Sequence, residues 1–148
     1  RTNSNESPAM SLIACALVVT SSAIMLLLGL GHLLFTFHGP RLLPRDSELQ
    51  AHMQRVSPVI TRQTTVWKAW IGFNASHSCG LILFGAVFGY LALAHGEVLF
   101  RSVFLLSLGL LSLAGYAFLA RRYFFRFPLR AVLAATTLYA GALLLNLA

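Results

Sequence analysis

The chain has 148 residues, of which 57% are hydrophobic and only 10% charged, with a mean hydropathy of +0.76. Soluble domains carry roughly 25% charged residues, so an ordinary water-soluble globule is excluded and lipid-exposed helices are implied. The net charge is +7 and the pI about 10.5; because the bases cluster in two short connections, membrane orientation accounts for them and no nucleic-acid partner is expected.

Residues 1–7 form a polar tail, and Pro8 opens an apolar run to Phe37. That run is long enough to cross a bilayer with tilt, and too long for the core of a cleavable signal peptide. Ser11, Cys15, Val18, Ser22, Met25, Gly29, His32 and Thr36 recur at alternating steps of four and three. Such a stripe of small and polar residues on one helix face is where membrane helices approach closely. Gly39-Pro40 ends the helix, as a glycine followed by proline commonly does.

Residues 39–65 are polar and predict a short amphipathic helix at the membrane surface. Asp46 or Ser47 supplies its cap, and Leu49, Met53 and Val56 share one side. The second span then runs from Val66 to Ala94 with a single base, Lys68, and no acid. Trp67, Trp70, Asn74, His77, Leu81, Phe84 and Phe88 lie along one of its faces, and Gly85 and Gly89 form a Gly-x-x-x-Gly. That motif favours close helix approach in an apolar segment. The two tryptophans stand where an interfacial aromatic belt belongs.

His95-Gly96-Glu97 predicts a tight turn before a third span at about residues 98–120. A basic, aromatic connection follows, with Arg121, Arg122, Arg126 and Arg130 around Tyr123-Phe124-Phe125 and Phe127-Pro128. The fourth span covers about residues 129–148 and carries Thr136, Thr137, Tyr139 and Asn146 as its polar members. The expected fold is therefore all-α: a single integral membrane domain over residues 1–148, with four transmembrane helices at about 9–37, 66–94, 98–120 and 129–148 in an up-down bundle and one short interfacial helix. Nine of the eleven bases lie in or beside the first and third connections, against Arg1 and Arg101 on the other side. By the positive-inside rule both termini are expected outside, with the basic loops 39–65 and 121–130 cytoplasmic.

Polar side chains within a span usually face a protein partner or a site. His32, Trp70, Asn74 and His77 are accordingly the candidate ligand-binding residues, and Gly29, Gly85 and Gly89 the candidate helix-packing residues. Two readings stay open for the first group. One is interhelical hydrogen bonding; the other is a pocket for a quinone-like ligand or a haem. At about 1.5 Å per residue the two histidines differ in depth by roughly 9 Å, which speaks against a single shared metal ion. No metal set, catalytic residue or phosphate-cradling glycine loop is read from the sequence, and no cofactor is required by it. Cys15 and Cys79 lie apart in apolar runs and suit packing, not a disulfide framework. The absence of an acid within any span counts against proton-coupled transport. Asn74-Ala75-Ser76 fits the glycosylation pattern only by chance, because it falls in the bilayer.

The pattern Trp-x-x-Trp-x-Gly-Phe-Asn-x-Ser-His-Ser from Trp67 to Ser78 is preceded by Ser57-Pro58-Val59-Ile60-Thr61-Arg62-Gln63-Thr64-Thr65. Together with Gly31-His32-Leu33-Leu34-Phe35-Thr36-Phe37 it resembles a family of small, uncharacterised four-helix proteins of the bacterial inner membrane. The resemblance covers about half of the chain and implies fold and location but no activity. In size and helix count the chain is also similar to DoxX-like proteins. The four-helix glutathione and eicosanoid enzymes share its orientation, but their acid-containing cytoplasmic motif is not matched. The functional expectation is a non-catalytic accessory or structural subunit that packs against other membrane subunits or a second copy of itself. The alternative is a small membrane redox protein or enzyme that binds a lipid-soluble ligand, a quinone or a haem near His32, Asn74 and His77.

Overall fold

The structure is a computed structural model that describes the backbone of residues 8–147 and the side chains of residues 12–147. The expected polar tail, the side chain of Ser11 and the last residue lie outside the described residues. Among the described residues there are six helices and no strand: α1 (Pro8–Phe37), α2 (Ser47–Arg55), α3 (Val66–Ala94), α4 (Gly96–Arg101), α5 (Val103–Tyr123) and α6 (Arg126–Leu147). Four of them, in α1, α3, α5 and α6, are long and apolar enough to cross a membrane.

The helix ends follow local chemistry. Gly39, at φ +83°, takes the left-handed conformation that stops α1 and that glycine adopts without steric cost. Asp46 caps α2, its Oδ1 accepting from the Glu48 and Leu49 amides at 2.8 and 3.3 Å. Thr65 does the same for α3, its Oγ1 accepting from the Lys68 amide at 3.3 Å. The Val66 amide donates to Val56 O at 2.9 Å, which closes the segment between α2 and α3.

The third span departs from expectation. A separate short helix, α4, occupies residues 96–101, and the span proper begins at Val103. Ser102 makes the break: it leaves the helical conformation, and its Oγ accepts from the Leu105 amide at 3.2 Å. The turn expected at His95-Gly96-Glu97 is reduced to His95 alone, since α4 starts at Gly96. The fourth span also starts earlier than expected, at Arg126, and the third runs on to Tyr123.

Contacts divide the chain into two units, and the division falls within α1 and within α3. The first unit comprises Arg1–Leu28 and Ile82–Ala148. It is a four-helix bundle built from the first part of α1, the second part of α3, and α5 and α6. Its core is formed by Val18, Met25, Phe84, Phe88, Leu113, Val132, Ala135 and Tyr139, all buried. These positions recur at three- and four-residue steps along their helices, as a single buried stripe requires. Contacts between α1 and α3 and between α1 and α6 run in opposite sequence order: Leu26 and Ser22 meet Gly85 and Gly89, while Ser21 and Leu17 meet Ala135 and Gly141. That is the antiparallel, up-down arrangement.

Two close approaches set this bundle. A Cβ at Gly85 would lie 2.6 Å from Ser22 O and 2.7 Å from the Leu26 Cβ. Backbone thus meets backbone there, and only glycine leaves the room. At Gly89 the nearest neighbour is the Ser22 Cβ at 3.4 Å, an ordinary contact. The two glycines of the motif are therefore not equivalent. In α5, Gly109 faces the Tyr139 phenol so closely that any side chain would collide with it. Tyr139 is fully buried, donates to Leu106 O at 3.4 Å, and packs its ring on Phe84 and Phe88. The Ser21 hydroxyl donates across the bundle to Ala135 O at 2.8 Å, and the Asn146 Nδ2 to Phe100 O at 3.2 Å.

The second unit is Gly29–Leu81, with the end of α1, the polar segment with α2, and the start of α3. No residue of α2 is buried, and Leu49 and Val56 are exposed.

Candidate functional site

The polar candidates gather in the second unit. His32 stands one turn from the end of α1, and Trp70, Asn74 and His77 occupy the first three turns of α3. His32 Nε2 and Asn74 Oδ1 are 3.1 Å apart, and the Asn74 Nδ2 donates to Trp70 O at 2.8 Å. With the amide nitrogen so engaged, the oxygen must accept, and the His32 proton is assigned to Nε2. The Trp70 Nε1 donates to Leu42 O at 3.3 Å, the Thr36 hydroxyl to His32 O at 2.8 Å, and the buried Ser78 hydroxyl to Asn74 O at 2.9 Å. The result is a continuous polar thread. It runs from the Leu42 backbone through Trp70 and Asn74 to His32, and so joins α1, the following segment and α3.

His32 and His77 meet edge to face, with ring centroids 5.4 Å apart and planes at 82°. This corrects the expected separation in depth. Side chains on a helix lean toward its N-terminus. The contacts of α1 with α3 here also run antiparallel, Leu42 with Trp70 and His32 with Asn74. His32 therefore leans away from the connecting segment and His77 toward it, and the two leans close the axial gap.

This geometry bears on the chemistry. Two imidazoles on opposite faces of a haem, each about 2 Å from the metal, would stand with centroids near 6 Å and a macrocycle between them. Here the two ring centroids stand 5.4 Å apart, with the rings in edge-to-face contact. Among the described residues no group of three or more His, Cys, Asp or Glu comes together to hold a metal ion. The arrangement can donate and accept hydrogen bonds. It contains no carboxylate, and its hydroxyls are turned back onto their own helix.

Trp70 is 41% exposed and uses its only polar atom on the Leu42 backbone, so it fastens the segment after α1 and does not line an enclosed pocket. Of the helix-packing candidates, Gly85 makes the closest approach, Gly89 is in ordinary contact, and Gly29 is buried on the α1 stripe. Sequence reasoning missed Ser21, and it named Tyr139 only as a polar member of the fourth span, without its packing role. Gly109 leaves the room that the Tyr139 phenol occupies.

With its four apolar spans the chain is an integral membrane protein. No family model, curated protein or solved structure matches it.

Proposed function

We propose that the chain is a non-catalytic accessory or structural subunit of a membrane assembly. The observation that carries this reading is the engagement of Asn74 at both ends of its amide, its oxygen by His32 and its nitrogen by Trp70 O. A carboxamide well inside a span is thus spent on holding two helices together. Thr20, Ser112, Thr136 and Thr137 donate to carbonyls four residues back in their own helices.

An assembly role is favoured by a second feature. Gly72, Ser76 and Cys79 are exposed on one outward face of α3, and nothing lies within 4 Å of a Cβ at Gly72. Small residues on a lipid-facing surface let another membrane helix approach closely. The partner is another membrane subunit or a second copy of this chain. The resemblance to small four-helix proteins of the bacterial inner membrane and the distribution of bases support a plasma-membrane location. Both termini are then outside, and α2 lies along the cytoplasmic interface. Purification in mild detergent tests the reading: a stoichiometric partner or a homo-oligomer supports it, and a lone monomer overturns it.

The contact of the His32 and His77 rings favours a second reading, in which a quinone-like ligand accepts or donates hydrogen bonds beside the imidazoles. Lipid extraction and an ultraviolet spectrum of the gently purified protein discriminate the two. Stoichiometric quinone lost in His77→Ala would establish the second reading.

A further inference from the structure

The connection between α5 and α6 holds a concentration of positive charge. Arg121 and Arg122 end α5, Arg126 and Arg130 begin α6, and all four are exposed. The sequence has no Asp or Glu after Glu97, and the one ion pair among the described residues is Arg101 with Glu97. Among the described residues no carboxylate pairs with these guanidinium groups. Arg121 and Arg122 have a local reason to be there, because cations favour the C-terminal end of a helix. Arg126 and Arg130 have the opposite. They stand in the first turns of α6, where the helix field is positive and no acid offsets it, and at a spacing of four they repel each other.

Aromatic residues fix the level of this cluster. Tyr123, Phe124, Phe125 and Phe127 are all exposed among the arginines. Exposed rings at the end of a span belong in the interfacial layer of the bilayer, which is also where lipid phosphates lie. Every base of the cluster is arginine, whose planar fork pairs with phosphate oxygens in two-point fashion.

We propose that the α5–α6 connection binds the phosphate of an anionic phospholipid through Arg126 and Arg130, with Arg121 and Arg122 alongside and the four aromatic rings seated among the glycerol and upper acyl groups. The lipid supplies the negative charge that the start of α6 lacks. The orienting role of these bases in membrane insertion is separate, and it would be met by any basic residue without selectivity for a headgroup.

The test uses the full chain in nanodiscs of equimolar phosphatidylglycerol and phosphatidylcholine with matched acyl chains. Both leaflets are alike, so orientation drops out. Lipids kept after release are counted by native mass spectrometry, before and after a wash in inorganic phosphate. The proposal expects the wild type to retain phosphatidylglycerol preferentially through the wash. It expects the double variant Arg126→Gln, Arg130→Gln to lose about tenfold of that preference, and Arg126→Lys, Arg130→Lys to keep part of it. Helix content of each variant, measured in parallel, separates loss of binding from loss of fold. The exposed pair Arg41→Gln, Arg45→Gln serves as a charge-matched control that keeps the preference. Equal retention of the two lipids by the wild type, an unchanged preference in the Gln variant, displacement of the lipid by free phosphate, or an equal loss in the charge-matched control would each overturn the proposal.

Discussion

The Asn74 carboxamide accepts the His32 Nε2 proton at 3.1 Å and donates from its own nitrogen to Trp70 O at 2.8 Å. One side chain thus ties α1 to α3, with its oxygen and its nitrogen both engaged. A hydrogen bond between membrane helices is worth about 0.6 kcal/mol on average and up to roughly 2. Asn74→Ala is expected to cost about 1–2 kcal/mol in reversible unfolding in detergent, because the half-buried imidazole loses its acceptor. Ser76→Ala, which removes an exposed hydroxyl bonded to its own helix at Phe73 O, is expected to change stability by less than about 0.5 kcal/mol. The same unfolding assay reads both.

The two glycines of α3 give a contrast of the same kind. Gly85→Ala drives a methyl group into Ser22 O and the Leu26 backbone and should cost about 1–3 kcal/mol, by overpacking. Gly89→Ala meets only the Ser22 Cβ at 3.4 Å and should stay within about 0.5 kcal/mol. Equal effects at the two positions would contradict the packing described for α1 and α3.

Gly109 and Tyr139 should behave as a coupled pair. Gly109→Ala alone is expected to cost about 1–3 kcal/mol, since the phenol is fully buried and has nowhere to move. Tyr139→Phe removes a long hydrogen bond to Leu106 O and should cost about 1 kcal/mol or less. In the double variant part of the clash is relieved, so the two costs should sum to more than the combined effect. A double-mutant cycle measures this directly.

Much of the architecture was legible in the sequence, for reasons visible in particular residues. The stripe of Val18, Ser22, Met25, Gly29 and Thr36 is buried in the structure, because its steps of four and three trace one helix face whatever covers it. Asp46 is the cap of α2 because only a short acceptor before a helix reaches two amides at once. The break at Ser102 was missed, although Arg101 and Ser102 interrupt the apolar run there; it is made by one hydroxyl turning to the Leu105 amide. The meeting of His32 and His77 was hidden by counting rise along the axes alone, without the lean that antiparallel helices give their side chains. The grouping of His32, Asn74 and Trp70 could be read from periodicity. The use of Trp70 as a fastener for Leu42 could not, since a backbone acceptor in an irregular segment leaves no mark in the sequence.

Trp70→Phe tests that fastening. It keeps the ring and deletes the bond to Leu42 O, so global stability should fall by less than about 1 kcal/mol. Hydrogen exchange of amides in residues 39–45 should accelerate relative to α1 and α3. An unchanged exchange rate there would show that the bond does not hold the segment.

The central claim is that His32 and Asn74 hold α1 and α3 together and that the outward small-residue face of α3 serves assembly. The most direct measurement is native mass spectrometry of the protein extracted from its own membrane in mild detergent, comparing the wild type with Ser76→Leu, a change that fills the exposed face beside Gly72 and Cys79. The account predicts a complex containing other membrane subunits or further copies of the chain in the wild type, and its dissociation in the variant with the fold intact. A monomer in the wild type, or a complex indifferent to Ser76→Leu, would contradict it.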